Sequence, residues 1–134
     1  LQKKILQTIK PTIIPAIGWL IVSTILFTLP GSAFPKENWL DKIGFDKWVH
    51  IGIFIIMTVL WCWGWRPAGN AGNTRKLRRT FVIIGITCIA YGITIEFIQK
   101  YFIPNRSFDC LDITADSAGC VAGVIYSIRR YIKK

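Results

Sequence analysis

Acidic residues are scarce in this chain, with seven Asp and Glu against seventeen Lys and Arg in 134 positions. Histidine and methionine occur once each, and the four cysteines include no CxxC pair. Those shortages exclude a zinc ribbon and a thioredoxin-like redox motif. There is no helical HExxH, no phosphate-cradling glycine loop, and no Ser/His/Asp or Cys/His set at convincing spacing. Charge itself is missing from long stretches. Residues 12–29 and 80–95 carry none, and residues 48–65 hold His50 as their one group that charges near neutral pH. With 52% hydrophobic residues, 13% aromatic residues and a mean hydropathy of +0.43, the composition excludes an ordinary soluble domain. A net charge of +10 would suggest nucleic acid in a soluble protein. Here RKLRR at 75–79 directly abuts the apolar run at Phe81, so it reads as a topology signal, and no nucleic-acid partner is expected.

The uncharged runs have the length of membrane helices. Residues 12–29 (TIIPAIGWLIVSTILFTL), stopped by Pro30-Gly31, just reach the ~17–25 residues that a span needs. Basic residues before this run and the small Gly31-Ser32-Ala33 after it also imitate a signal peptide, but the run exceeds a usual signal core, which favours a span. A polar connection over 32–47 places Trp39, Leu40, Ile43 and Phe45 at interfacial spacing. The second span, 47–65, carries Trp48 at one end and Trp61, Trp63 and Trp65 at the other, where aromatic belts belong. A Gly/Asn-rich loop with the basic cluster is expected over 66–79, then a third span over 80–101 ended by Pro104-Asn105. The fourth run, Ser117 to Ile128, is too short to cross ~30 Å at ~1.5 Å per residue. To span, this helix must begin near Cys110 and carry Asp112 and Asp116 inside, giving 110–128. Cys62, Cys88 and Cys120 fall in apolar segments and read as small hydrophobes.

One all-α domain over 1–134, a four-helix transmembrane bundle running up and down, is therefore expected. Its orientation follows from charge. Lys3, Lys4 and Lys10, the Arg66–Arg79 cluster, and Arg129, Arg130, Lys133 and Lys134 lie on one side with no acid. All seven acids lie on the other. The positive-inside rule then places both termini in the cytoplasm, with the basic excess also favouring anionic headgroups.

The stretch Tyr91–Gly123 concentrates the remaining chemistry: Glu96, Arg106, Asp109, Asp112 and Asp116 between two apolar flanks. Counting along each helix puts His50 ~6 Å, Glu96 ~8 Å and Asp116 ~9 Å below the outer face. Asp46 and His50 share a face at i, i+4, as do Asp112 and Asp116, and Glu96 and Gln99 at i, i+3. An outward-facing polar pocket follows, with Glu96, His50 and Asp116 as candidate acid–base groups and Asp46, Gln99, Arg106 and Asp112 as candidate ligand-binding groups. Each has a plainer reading. His50 could be satisfied by Asp46 or a backbone carbonyl; Asp46 and Asp109 could cap helices; Glu96 could rest on one hydrogen bond across the bundle; Asp112 could reach interfacial water. Three helices contributing ionisable groups at one depth weigh against capping alone. One His among carboxylates is a weak metal signal, and no metal and no cofactor are expected. Gly119 and Gly123 form a GxxxG pair on the acid face, read as an internal packing seam rather than a dimer contact.

Asp46-Lys47-Trp48-Val49-His50, Tyr91-Gly92 with Glu96 and Gln99, Pro104-Asn105-Arg106, and Asp112-Ile113 through Gly119 and Gly123 resemble VanZ-like membrane proteins over roughly residues 40–126. Where that pattern usually has Asn after the helix-four Asp and Ala, this chain has Asp116, which adds negative charge. The resemblance implies a small multi-pass protein of a bacterial cytoplasmic membrane, with a namesake associated with low-level resistance to the glycopeptide teicoplanin. Two function classes are open. One is a protein binding or acting on an envelope lipid, cell-wall precursor or lipoglycopeptide at the outer leaflet, whether or not it is an enzyme. The other is a non-enzymatic accessory subunit. Partners are accordingly membrane lipids and, for the second class, another membrane protein; the oligomeric state stays open.

Overall fold

The computed structural model describes residues 11–33, 39, 44–66 and 73–132. Lys3, Lys4, Lys10, Leu40, Ile43, residues 67–72 of the expected loop, Lys133 and Lys134 lie outside the described residues. Among those described, every regular element is helical. A 3-10 turn at Pro11–Ile13 leads into α1, Ile14–Thr28; then come α2, Phe45–Gly64; α3, Thr74–Phe102; and α4, Cys110–Tyr131.

Local chemistry sets each boundary. Pro15 lies in the first turn of α1, where its missing N–H is harmless, and Leu29 leaves the helix in an extended conformation just before Pro30. Gly44, at φ 65°, supplies the left-handed turn that starts α2 two residues earlier than the span expected from hydropathy. The larger correction is at α3. Residues 74–79 are not loop: the Asn73 side chain accepts from the N–H groups of Arg75 and Lys76 and starts the helix six residues before Thr80. The basic cluster is thus the first turn and a half of a 29-residue helix. α4 begins at Cys110, as the shortness of its uncharged run requires, and continues to Tyr131.

Three helices, α2, α3 and α4, are long and apolar enough to cross a membrane. The first expected span is the exception. α1 has 15 residues, ~22 Å of helix, because the chain before Ile14 tightens into the 3-10 turn. Polarity is inverted relative to a soluble bundle. Ile14, Ile21, Ile25, Ile83, Ile86, Val121 and Ile125 are exposed, whereas His50, Thr58, Glu96, Gln99, Asp112, Asp116 and Ser127 are buried. Apolar surface of that extent faces lipid rather than water.

Contacts at the helix ends give the topology. Thr12 donates to the Gly64 carbonyl, Gln99 to Phe27, and the Asp109 N–H to Glu96, so successive helices run antiparallel and α2 lies parallel to α4. The α2–α4 seam is built on glycine. A Cβ at Gly119 would meet the Ile51 carbonyl at 2.6 Å and Phe54 Cβ at 2.9 Å, and one at Gly123 would meet Thr58 Cβ at 2.8 Å. The GxxxG pair is therefore an internal seam, as its spacing suggested. Below the polar end, Phe27, Ile53, Phe54, Met57, Cys88, Ile95 and Cys120 form the main core, and Cys62 joins Phe81 and Ile132 in a second cluster.

Candidate functional site

The polar groups gather where the N-termini of α2 and α4 meet the C-termini of α1 and α3. Two turns create the meeting. Gly31 N–H donates to the Pro104 carbonyl at 3.2 Å, and a Cβ on Gly31 would collide with the Asn105 carbonyl, so the end of α1 is held against the α3–α4 hairpin. Asn105 turns that hairpin at φ 59°, a conformation its short amide tolerates. Asp109 then caps α4: its Oδ1 accepts the Leu111 N–H at 2.8 Å.

An outer layer is centred on Lys47. Its Nζ donates to Asp46 Oδ2 at 2.6 Å, to Asp109 Oδ2 at 2.7 Å, and to Asp112 Oδ1. The Lys47 ammonium holds the Asp109 carboxyl below the usual carboxylate range, helped by the Leu111 N–H and opposed by partial burial. Lys47 belongs to the Asp46–His50 motif but is not among the candidate site residues read from the sequence. The signal for it is its place at i, i+3 from His50 on the same helix face.

An inner layer lies beneath. His50 Nδ1 stands 2.7 Å from Asp116 Oδ1, and His50 Nε2 stands 3.7 Å from Asp112 Oδ2. The His50 partner is thus across the seam on α4, and the plainer reading of an Asp46-satisfied histidine does not hold. Asp46 is instead exposed in the first turn of α2, with Gly44 at the cap position. Glu96 is fully buried. Its Oε2 accepts the Asp109 N–H at 3.1 Å, and its Oε1 has no hydrogen-bond partner among the described residues. Ligand atoms of His50, Glu96 and Asp116 lie within 4.8 Å of one another. Space for the Asp116 carboxylate comes from α3, because a Cβ at Gly92 would sit 2.7 Å from Asp116 Oδ2. Phe27 closes one side, its ring 5.0 Å from that of His50.

A cavity of about 400 Å³ opens beside these layers. Asp46, His50, Gln99, Arg106, Asp109 and Asp112 line it together with the apolar Leu26, Phe45 and Val49. Glu96 and Asp116 are behind that wall rather than on it. Gln99 is spoken for on one side, since its amide donates to the Phe27 carbonyl at 3.0 Å and so clamps the end of α1. Arg106 Nε donates to the Leu29 carbonyl at 3.4 Å. Partial burial lowers the Arg106 guanidinium from its ordinary range, the Asp112 and Glu96 charges oppose that, and the group stays cationic. A separate apolar groove of about 480 Å³ runs past Leu20, Met57, Trp61, Ile84 and Tyr91 and contains none of the candidate residues.

All seven residues singled out from the sequence therefore surround one end of the bundle, five on the cavity wall and two behind it. The arrangement can hold an anion against Arg106, move a proton between His50 and Asp116, or present two carboxylates and an imidazole to a cation.

Comparison with known proteins adds similarity without a family. No protein-family profile matches the chain, and no solved structure matches it. An uncharacterized protein of Schizosaccharomyces pombe is 28% identical over 83 residues, covering 62% of this chain and 46% of that protein. The chain thus spans about half the length of the curated relative it matches.

Proposed function

We propose that this chain is a VanZ-like multi-pass membrane protein whose polar pocket faces outward and receives the headgroup of an envelope lipid, a lipid-linked cell-wall precursor or a lipoglycopeptide. One observation carries the reading: the cavity wall combines ionisable and apolar residues. Of the apolar lining residues, Leu26, Phe45 and Val49 are themselves exposed on the surface of the bundle. A molecule with a polar head and an acyl or isoprenyl tail finds partners for both parts in such a cavity. Arg106 is the anion clamp in this reading, and His50 with Asp116 or Glu96 is the acid–base pair if a bond is broken. Placement in a bacterial cytoplasmic membrane, with both termini inside, rests on the resemblance and on the charge asymmetry of the loops.

The accessory-subunit reading is favoured by one contact set. Lys47 already quenches Asp46, Asp109 and Asp112, which is how a static docking surface would be built. The cavity beside that cluster favours the ligand reading.

Purified chain in nanodiscs tests it, with phosphatidylglycerol, an isoprenyl-phosphate precursor and teicoplanin as probes in a thermal-shift assay. At least one probe is expected to raise the midpoint of the wild type. Arg106→Ala and Glu96→Gln are expected to lose that response while inserting normally, and Glu96→Gln without ligand is expected to be no less stable than wild type. Wild-type responses in both variants would sink the proposal. Orientation is checked separately in a background without the native cysteines: a cysteine at Ser107 is expected to react with an impermeant reagent from outside and one at Asn73 not, and the opposite pattern would reverse the topology.

A further inference from the structure

The two layers of the site differ in how their negative charge is met. Asp46, Asp109 and Asp112 lie within 4.8 Å of one another, and the Lys47 ammonium takes an oxygen from each. That trio has its cation built in. His50, Glu96 and Asp116 form a second trio of the same tightness, drawn from three different helices and almost wholly buried. Among the described residues, the only side-chain hydrogen bond within it is His50 to Asp116. Glu96, the α3 member of the trio, is fully buried, and its Oε1 has no hydrogen-bond partner among the described residues. A buried carboxylate oxygen left unpaired is strongly disfavoured, so it is kept only where something else satisfies it.

We infer that His50, Glu96 and Asp116 form a binding site for one divalent transition-metal cation of the Zn²⁺ or Mn²⁺ type. The donor set selects the class. An imidazole with two carboxylates suits first-row transition metals, whereas Mg²⁺ and Ca²⁺ prefer oxygen-only shells. Size agrees too. Zinc binds His nitrogen and carboxylate oxygen at ~2.0–2.2 Å in tetrahedral geometry, which sets neighbouring ligand atoms ~3.3–3.6 Å apart. The ligand atoms of the trio, all within 4.8 Å of one another, converge on that spacing by side-chain rotation, which also opens the 2.7 Å His50–Asp116 contact. Two carboxylates and a neutral imidazole carry the charge that a divalent ion cancels, and Gly92 leaves the Asp116 carboxylate the room to turn. Second-layer support is in place as well: the Asp109 N–H holds Glu96 Oε2 and restrains the carboxylate. The inference goes beyond the headgroup reading and does not need it.

The full chain, reconstituted in nanodiscs and stripped with a chelator, is titrated with ZnCl2 by calorimetry, with MnCl2 and MgCl2 for comparison. One Zn²⁺ per chain is expected, with Mg²⁺ at least tenfold weaker. Glu96→Gln and Asp116→Asn are each expected to weaken Zn²⁺ at least tenfold, and Cys110→Ser, which removes the exposed thiol, to leave it unchanged. Absorption at the zinc edge of the wild type is expected to show imidazole and oxygen ligands without sulfur; this measurement decides if a carboxamide variant loses its helical circular dichroism. Absence of zinc binding by the wild type, sulfur in the shell, or undiminished binding in both folded carboxamide variants would overturn the site. Zinc bound without any lipid response leaves this inference standing and removes the headgroup proposal; lipid response without zinc does the reverse.

Discussion

Replacing Gly119 by Ala tests whether the α2–α4 seam is what holds the site together. The added methyl would sit 2.6 Å from the Ile51 carbonyl oxygen and 2.9 Å from Phe54 Cβ. The first of these is backbone, so no rotamer change relieves it and the two helices must part. Overpacking of this kind costs ~1–3 kcal/mol, and the unyielding neighbour puts this case in the upper half. Alanine is favoured over glycine in a helix by ~0.8–1.0 kcal/mol, which offsets part of it. The net expectation is a loss of about 1–2 kcal/mol. Gly52→Ala is the matched control on the facing helix, because no atom lies within 4 Å of its Cβ position. It keeps the propensity term alone and is expected to be neutral or stabilising by up to ~1 kcal/mol. The assay is equilibrium unfolding in mixed micelles of mild and denaturing detergent, followed by helical circular dichroism for both variants. Since Gly119 is one turn from Asp116 on the same face, the Ala variant is also expected to loosen the His50–Asp116 contact and weaken any ligand of the site. A Gly119→Ala chain as stable as the Gly52→Ala chain would refute the seam argument.

Two further outcomes are expected. Lys47→Met leaves Asp46, Asp109 and Asp112 crowded without their cation and is expected to cost about 2–4 kcal/mol, somewhat below a fully buried pair because the Lys47 side chain retains 25% exposure; Asp112→Asn in that background is expected to recover part of the loss, and an unaffected Lys47→Met unfolding midpoint would contradict the hub role. Asp109 has a folded-state carboxyl held below its unfolded value by Lys47, so its contribution to stability is present above the unfolded value of ~3.9 and is lost as pH falls through the lower folded value. Unfolding midpoints measured from pH 6 down to pH 2 are expected to fall less steeply for Asp109→Asn than for wild type, and parallel curves would argue against the pairing.

What was legible in the sequence follows from local constraints. An apolar run has a length, and a bilayer has a thickness; comparing them predicts helices over α2, α3 and α4 and draws Asp112 and Asp116 into a helix starting at Cys110. Helical period alone put Asp116, Gly119 and Gly123 on one face. Two local features escaped hydropathy because they are not hydrophobic: the Asn73 cap that carries the basic cluster into α3, and the 3-10 turn that shortens α1. Everything that depends on one helix facing another was decided by the tertiary structure. Period places His50 and Asp46 together on α2 but cannot say that α4 presents Asp116 more closely, since rotation and axial register between helices come from packing the glycine seam. For the same reason Lys47, an ordinary outer-face charge by position, becomes the partner of three carboxylates, from α2, from α4 and from the α4 cap. The unpartnered Oε1 of Glu96 is the clearest case: burial and hydrogen bonding belong to the assembled bundle, and no spacing along the chain encodes which oxygen is left without a partner.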